Sequence, residues 1–253
     1  MRIVAISDVH IKEPGDNAEN LFVHFLRHPT VQSAEHIFLL GDIFDLVIGP
    51  HSQYFRRFPM FFNEIGELLK KGKKVYYVEG NHDFHLKKLF DRYFQVFPDI
   101  PKNHFQLQSE FVLQSGGKSI HLSHGDDIEI ENFNYRVFKG IVTSPPVKFY
   151  ANYLMPYFLI KSVGETASKL SRKRNNARYN KASDLAVVED KFRRSVEVFF
   201  KKKPFDVYVC GHSHVKDYYV SKHGFEYINN GYAQFTKTFI VIENGKLTFE
   251  NIF

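Results

Sequence analysis

Histidine, aspartate and asparagine follow five apolar segments of the chain, each where a strand should end. The stretch VEGNHDF at 78–84 shows the pattern, because an apolar run stops at glycine, asparagine, histidine and aspartate. Alone, such a stretch is an ordinary turn. Similar endings recur in the motifs DVH, GD, GNHD, HGD and GHSH. Their candidate metal ligands are Asp8, His10, Asp42, Asn81, His124, His212 and His214.

These oxygen and nitrogen donors are too many for one ion. They suit two first-row divalent ions that share a bridging carboxylate. The neighbouring glycines let the backbone turn sharply beside an ion. Each motif has an ordinary structural explanation on its own. His121 lies within the apolar segment 119–123 and is interpreted as a packed side chain. Five such motifs, each with metal-binding residue types at a strand end, favour a metal centre over coincidence.

The elements that carry these residues alternate between strands and helices, which is the pattern of an α/β protein. Helical spacing of apolar residues covers 20–27 and 54–71, with Pro59 as the start of the second helix. Hairpins are predicted at 217–232 and 238–253, the latter around the turn ENGK. Ligands bind beyond the carboxyl ends of strands in an open α/β sheet, so the five strand ends should share one rim. The five strands are predicted at 2–7, 36–40, 74–79, 119–123 and 205–210.

Charge is unevenly distributed along the chain. Residues 131–203 hold 16 Lys and Arg and 6 Asp and Glu, a net charge of +10, whereas the remainder carries −4. This segment is also helical in propensity. We therefore expect a core at 1–130 and 204–253, interrupted by a basic, helical cap insertion at 131–203. Such a division argues against a uniformly basic nucleic-acid-binding protein.

The cysteine content and the apolar segments of the sequence indicate the cellular compartment in which the protein is expected. The single cysteine, Cys210, cannot form an intrachain disulfide, which fits a reducing compartment. Residues 1–10 lack the basic region and the long apolar core of a signal peptide. The most apolar segment, 153–160, is too short to cross a bilayer and contains a proline. A cytoplasmic protein is therefore expected.

In this order and at these spacings, the five motifs resemble those of the calcineurin-like metallophosphoesterases. The resemblance covers residues 1–126 and 205–253. It implies a four-layer α/β sandwich, with two mixed β-sheets flanked by helices, in place of a single open sheet. It also implies two sets of metal ligands that share one carboxylate. One set is Asp8, His10, Asp42 and His214, and the other is Asp42, Asn81, His124 and His212.

The same resemblance implies catalytic roles for the two residues after Asn81. Two cations about 3.5–4 Å apart would clamp a phosphoryl group and lower the pKa of a bridging water, whose hydroxide attacks phosphorus in line. His82 would contact the phosphoryl oxygen or protonate the leaving group, and Asp83 would orient His82. VEGNHDF is then a catalytic loop and not a simple turn.

Within that superfamily, the chain is similar to the UDP-2,3-diacylglucosamine pyrophosphohydrolases of lipid A biosynthesis. The similarity rests on the chain length, on LLGDIFDLVIG at 39–49, on GNHDF, and on a helical insertion between HGD and GHSH. In that family the insertion is a cap that grips the acyl chains and the glucosamine of the lipid. One departure is His82, where those enzymes typically have arginine. Histidine can donate a proton, whereas a permanently charged arginine cannot.

The insertion carries an apolar run at 146–161 and a basic run at 171–181. The apolar run reads either as the core of the cap helices or as a lipid slot. The basic run reads either as a solvated surface or as a contact for a diphosphate, an anionic membrane surface or nucleic acid. On the functional reading, the candidate substrate-binding residues are Asn81, His82, Arg172, Arg174 and Arg178.

The sequence therefore predicts an enzyme that hydrolyses phosphoric esters or anhydrides, cleaving UDP-2,3-diacylglucosamine to UMP and 2,3-diacylglucosamine 1-phosphate. Its cofactor would be two divalent ions, Mn²⁺ first, with iron or zinc as alternatives. The partner is a phosphate-containing small molecule or lipid, with peripheral contact of the cap with the inner membrane. The oligomeric state is left open.

The same residues are compatible with other functions. The main alternative is a phosphodiesterase acting on another nucleotide-diphosphate conjugate, a small nucleotide or nucleic acid, of which nucleic acid is not favoured. A protein phosphatase would need an open groove, which a cap over the metals argues against. A metal-free scaffold would need missing ligands, and none of the expected donors is missing from the sequence.

Overall fold

The computed structural model describes residues 1–159 and 182–253. Within these residues, the strands form two large sheets and one short parallel pair, as the family resemblance implies. The single open sheet suggested by the strand ends alone is not the arrangement found. The basic run lies outside the described residues, and with it Arg172, Arg174 and Arg178.

The first sheet has a parallel centre and an antiparallel edge. Its described strands are β1 (Arg2–Ile6), β2 (His36–Leu39), β4 (Lys74–Val78), β6 (Phe105–Gln108), β12 (Thr238–Glu243) and β13 (Lys246–Asn251). Their order is β13-β12-β1-β2-β4-β6. β1, β2, β4 and β6 run parallel, while β12 pairs with β1 in the antiparallel sense. The carboxyl ends of β1, β2 and β4 therefore point to one edge of the sheet.

The second sheet supplies the loops that carry the remaining predicted ligands. Its described strands are β7 (Glu110–Ser115), β8 (Lys118–Ser123), β9 (Val207–Cys210), β10 (Lys216–Val220) and β11 (Glu226–Asn230). Their order is β10-β11-β9-β8-β7, with β8 and β9 parallel. The short pair joins β3 (Val47–Ile48) to β5 (Asp83–Phe84). All five predicted strands and both predicted hairpins are confirmed.

Side-chain alternation along the strands explains why two sheets pack face to face. In β1, Ile3 and Ala5 belong to a buried cluster that also contains Val207 and Val209 of β9. The intervening Val4 of β1 belongs instead to the cluster beneath the helices. Successive side chains of a strand point to opposite faces, so each sheet has one face toward the other sheet and one toward helices.

Helices cover the outer face of the six-stranded sheet. An aspartate N-cap, Asp16, accepts a hydrogen bond from the backbone N–H of Glu19 and begins the first of them. Pro59 occupies the first turn of the fourth, which confirms the predicted start. These helices are α1 (Asn17–Arg27), α2 (Pro29–Ser33), α3 (Gln53–Arg57), α4 (Pro59–Lys70) and α5 (Lys87–Val96). A 3₁₀ turn at Lys102–His104 and the short α9 (Ala233–Thr236) complete this part of the fold.

The insertion is helical where the structure describes it, and its last helix forms the fourth layer of the fold. Val196 is fully buried in a cluster with Tyr208 and Tyr227 on the outer face of the second sheet, and Phe199 packs against that cluster. The insertion therefore contributes a layer of the sandwich besides standing near the strand ends. Its described helices are α6 (Phe133–Val142), α7 (Pro145–Tyr153) and α8 (Ala182–Lys202).

In the two described stretches, 1–159 and 182–253, none of the helices combines the length and the apolar character that crossing a bilayer requires.

We predict that Val196→Asp lowers the free energy of unfolding by about 3 kcal/mol or more, because it places a carboxylate in a fully buried apolar cluster. Val198→Asp on the same helix is the matched control. Val198 is 40% exposed, so that change should cost no more than about 0.5 kcal/mol. Urea unfolding of both variants measures the difference. Equal losses would contradict the packing of α8 on the second sheet.

Candidate metal centre

Loops after the strands of both sheets bring the seven predicted ligands together. Five of these residues have the left-handed backbone conformation, which is rare for residues other than glycine. Backbone strain of this kind persists only where the surrounding structure enforces it, and it clusters at functional sites. The five are Asp8, His10, Asp42, His212 and His214, with φ of 53°, 55°, 52°, 66° and 60°.

One group of donors lies at the end of β1. Asp8, His10, Asp42 and His214 each offer a ligand atom, and these atoms all lie within 4.8 Å of one another. His214 Nε2 is 3.2 Å from His10 Nε2 and 3.3 Å from Asp8 Oδ1. This group is the same as the first ligand set implied by the family resemblance. We name it set one.

A second group of donors, which we name set two, lies around the Asp42 carboxylate together with Asn81, His124 and His212. Asn81 Oδ1 is 3.0 Å from His124 Nε2 and 2.9 Å from His212 Nδ1. Asp42 Oδ2 is 3.5 Å from His124 Nε2, and it is also 3.8 Å from His10 Nε2 in set one. Asp42 therefore stands between the two sets, where a bridging carboxylate must be.

Backbone contacts fix the orientation of two histidine rings. His124 Nδ1 donates a hydrogen bond to the carbonyl oxygen of Leu40, 2.8 Å away, which turns Nε2 toward Asp42 and Asn81. His82 Nδ1 donates to the carbonyl oxygen of Asp45 at 2.8 Å, which leaves Nε2 as the nitrogen open to a ligand. A backbone carbonyl as partner is the usual way in which a protein sets the tautomer of a functional histidine.

Asp83 does not occupy the place expected for it beside the His82 ring. Its carboxylate instead accepts hydrogen bonds from five donors, the Tyr77 hydroxyl at 2.6 Å and four backbone N–H groups. Those N–H groups belong to residues 42–44 and Gly80, so Asp83 ties the loops after β2 and β4 to each other. The carbonyl of Asp45, and not the Asp83 carboxylate, holds the His82 ring.

A cavity of about 500 Å³ opens above the two sets. Its lining includes donors of both sets together with His82, and residues of α8 line another part of it. The α8 wall is apolar at Val187, Val188 and Phe192 and polar at Asp184 and Lys191.

Contacts from the helices of the insertion close over this region. On α6, the Tyr135 hydroxyl donates to Asp126, and Lys139 Nζ lies 2.6 Å from the same carboxylate. His85 Nε2 donates to the carbonyl oxygen of Val142 at 3.1 Å. Helix α6 is thus tied to Asp126, in the loop after β8 that carries His124, and to His85, four residues after Asn81.

Sequence reasoning missed the residues that link the ligands to the insertion. Glu129 contacts His212, and although burial opposes ionisation, hydrogen bonds from His212 and Lys191 lower the pKa of Glu129 to about 2. The sequence DIEIEN after HGD gives a weak signal, since alternating Ile and Glu is typical of many surface segments. Only its position directly after a strand-end motif points to the site.

Comparison with known protein families agrees with this geometry. The model of the family described as calcineurin-like phosphoesterase matches residues 1–216. The chain belongs to the calcineurin-like phosphoesterase family. It is a metal-dependent phosphoric ester or anhydride hydrolase, and its two sheets flanked by helices are the fold of that family.

Two curated relatives of this phosphoesterase share one name, UDP-2,3-diacylglucosamine hydrolase. The UDP-2,3-diacylglucosamine hydrolase of Aliivibrio fischeri is 26% identical over 218 residues, which are 86% of this chain and 83% of the relative. The protein of the same name from Actinobacillus succinogenes is 27% identical over 214 residues, 83% of this chain and 82% of the relative. The similarity therefore spans most of both chains.

Solved structures match at lower identity. A novel archaeal phosphodiesterase aligns with a TM-score of 0.48 at 13% identity and covers 99% of each chain. Zinc-bound Vps29 from Entamoeba histolytica aligns with a TM-score of 0.46 at 12% identity, covering 99% of this chain and 97% of that one. At such values the likeness bears on neither substrate nor partner.

The donor sets of this phosphoesterase fit the divalent ions that the family uses. Asp8 and Asp42 are buried, which opposes ionisation, yet the neighbouring His214 and His124 lower the pKa of these two carboxyls. Burial lowers the pKa of His10 to about 3, which keeps this ring neutral as a metal ligand must be. Buried carboxylates, an amide oxygen and imidazole nitrogens without thiolate are a hard and intermediate donor set, suited to Mn²⁺, Fe²⁺ or Zn²⁺.

We predict that Asp83→Asn lowers the free energy of unfolding by about 2–4 kcal/mol, because an amide NH₂ replaces one acceptor among five donors. Asp99→Asn is the control. Asp99 is 65% exposed in its pair with Lys70, so this substitution should lower the free energy of unfolding by no more than about 0.5 kcal/mol. Urea unfolding measures both. An Asp83→Asn protein as stable as the control would contradict the bracing role of this carboxylate.

Proposed function

We propose that this chain hydrolyses UDP-2,3-diacylglucosamine, releasing UMP and 2,3-diacylglucosamine 1-phosphate. Relatives with the name UDP-2,3-diacylglucosamine hydrolase, aligned over most of their length, support this substrate. The observation that carries the proposal is the cavity that joins the metal-ligand residues to an α8 wall of mixed polarity. Such a wall suits a substrate with a charged diphosphate at one end and apolar chains at the other.

The insertion at 131–203 is proposed as the cap over this substrate. Large apolar side chains in its described part are strongly exposed, among them Phe133 at 75%, Tyr153 at 65% and Phe158 at 68%. These side chains supply an apolar surface for acyl chains or for the lipid bilayer that contains them. The basic residues Arg172, Arg174 and Arg178 are proposed to pair with phosphate groups, of the substrate or of anionic lipids. The protein would then work on the cytoplasmic side, at the membrane surface.

Two divalent ions are proposed as cofactors, with Mn²⁺ first and iron or zinc as alternatives. Set one would hold one ion and set two the other, with Asp42 shared between them. Ions bound in this way polarise phosphoryl oxygens and lower the pKa of a water molecule toward neutrality. The protein contributes fixed donors and the cavity in which a phosphoryl group would meet them.

His82 is proposed as the residue that acts on the phosphoryl group. Its backbone N–H donates to Asp42 Oδ1 at 2.9 Å and its Nδ1 to the Asp45 carbonyl, so Nε2 faces the cavity from a fixed position. Burial lowers the pKa of His82, but the Asp42 carboxylate, the hydrogen bond to the Asp45 carbonyl and the charges of Asp45 and Asp83 together raise it above its usual value. A protonated Nε2 can bind a phosphoryl oxygen and then donate its proton to the leaving phosphate.

The substrate is tested by incubating the Mn²⁺-loaded protein with UDP-2,3-diacylglucosamine and detecting UMP by mass spectrometry. We expect UMP from the wild-type protein and none from Asp42→Ala, which loses the carboxylate shared by both sets. UDP-N-acetylglucosamine, which lacks the two long acyl chains, serves as the control substrate and should be cleaved far more slowly. Cleavage of bis(p-nitrophenyl) phosphate without any UMP from the lipid would contradict the substrate while leaving the metal chemistry in place.

His82→Ala is expected to keep both metal ions yet to lose about 10²–10⁴-fold in turnover, because His82 acts on the phosphoryl group and belongs to neither donor set. Metal content by mass spectrometry and turnover of bis(p-nitrophenyl) phosphate are the two readouts. His24→Ala, at an exposed position on α1, is the matched control and should change neither. Loss of a metal ion from His82→Ala would assign this ring to the ligands instead.

A further inference from the structure

Glu129 lies in the loop between β8 and α6 and forms part of the cavity wall. Its carboxylate approaches the outer side of a proposed metal ligand, since Oε2 is 3.3 Å from His212 Nε2. The other ring nitrogen of His212, Nδ1, is the one 2.9 Å from Asn81 Oδ1 in set two. The two nitrogens of this ring therefore have separate partners, one in the metal-ligand set and one outside it.

This arrangement decides which nitrogen of His212 carries the proton. A carboxylate only accepts hydrogen bonds, so a His212 ring that bonds Glu129 donates from Nε2–H. Nδ1 is then unprotonated and carries the lone pair that a metal ion needs. His124 has the reverse arrangement, with its Nδ1–H bonded to Leu40 and its Nε2 in set two. Set two thus presents one Nδ1 and one Nε2.

Glu129 is itself held in place from two sides. Lys191 Nζ on α8 lies 2.7 Å from Oε1, and the Asn132 side-chain amide donates to Oε2. The side chain of Glu129 is only 14% exposed and that of Lys191 is 22% exposed, so solvent screens this pair less than a surface ion pair. The loop is further fixed to α8 by the Ser195 hydroxyl, which accepts from the backbone N–H of Ile130 at 3.1 Å.

We propose that Glu129 is a positioning residue for His212, and that Lys191 holds Glu129 in the orientation this requires. The chain Lys191–Glu129–His212 connects α8 of the insertion to set two. The insertion is therefore needed to complete the second metal site as well as to cover the substrate. This inference rests on the ligand assignment proposed above.

The test measures Mn²⁺ binding to the full chain by isothermal titration calorimetry, without any substrate. Glu129→Ala should weaken the second site about 10–100-fold and leave the first site unchanged, because set one has no contact with Glu129. Glu129→Gln keeps an oxygen acceptor for Nε2–H and should recover most of that affinity. Lys191→Met should weaken Mn²⁺ binding at the second site less than Glu129→Ala does. The Glu129 carboxylate is still present in that variant as an acceptor, but it is less firmly oriented.

Glu131→Gln is the matched control, two residues along the same loop. Glu131 is 62% exposed in its pair with Arg194, which lies on the same helix as Lys191, and the substitution should alter neither site. Thermal unfolding of each variant separates loss of metal from loss of fold. Wild-type affinity at both sites of a folded Glu129→Ala protein would overturn the proposal. The proposal would also be overturned if Glu129→Ala changed the KM for substrate and left Mn²⁺ binding unchanged.

A second readout needs only the wild-type protein. In the zinc-loaded chain labelled with ¹⁵N-histidine, long-range ¹H–¹⁵N correlations report which nitrogen of each ring is protonated. We expect His212 to carry its proton on Nε2, and a proton on Nδ1 would overturn the proposal. A wild-type protein that binds only one Mn²⁺ would overturn it together with the ligand assignment. Failure to release UMP from the lipid would affect neither, so the two proposals fail separately.

Discussion

The arrangement of the donor loops centres on one carboxylate, Asp42, which is buried and held ionised between two groups of donors. Only 1% of Asp42 is exposed, and its backbone is left-handed with φ of 52°. A charge in such a place costs several kcal/mol unless opposite charge or hydrogen bonds surround it. Here the partners come from distant parts of the chain, including the His82 N–H and the His124 ring. The close packing of the surrounding loops follows from this need.

The close approach of the loops requires glycine at one point. A Cβ added to Gly80 would overlap Oδ1 of Asp42 and approach Asp83 Oδ1 to 2.9 Å. The loop after β4 can lie against the loop after β2 only because this side chain is missing. Asp83 then ties the two loops by accepting from the backbone of both. The core between the two sheets packs them face to face, and His124 from the second sheet thereby reaches Asp42 from the first.

Much of this arrangement could be predicted from the sequence because its signals are local. Apolar runs identify the strands, Pro59 identifies a helix start, and metal-binding residue types at strand ends identify the donors. The division of the strands into two sheets came from the family resemblance, since periodicity within a strand does not say which strand lies beside it. The helical nature of the insertion was also predictable, but the burial of Val196 against the second sheet was not.

The residues that could not be predicted act through contacts between distant elements. Asp83 looks like a partner of its neighbour His82, yet its hydrogen bonds go to residues 42–44 and Tyr77. Glu129 contacts Lys191 on the last helix of the insertion and His212 beyond the insertion, 62 and 83 residues along the chain. The spacing of residues along the sequence does not indicate such contacts. They become visible only from interatomic distances in the folded chain.

The most direct test of the account is the number and position of the metal ions around Asp42. Crystals grown with MnCl₂, measured near the manganese absorption edge, would give an anomalous difference map. The account predicts two peaks about 3.5–4 Å apart on opposite sides of the Asp42 carboxylate. One should lie against His10 and His214, and the other against His124 and His212. A single peak, or two peaks that do not share Asp42, would contradict it.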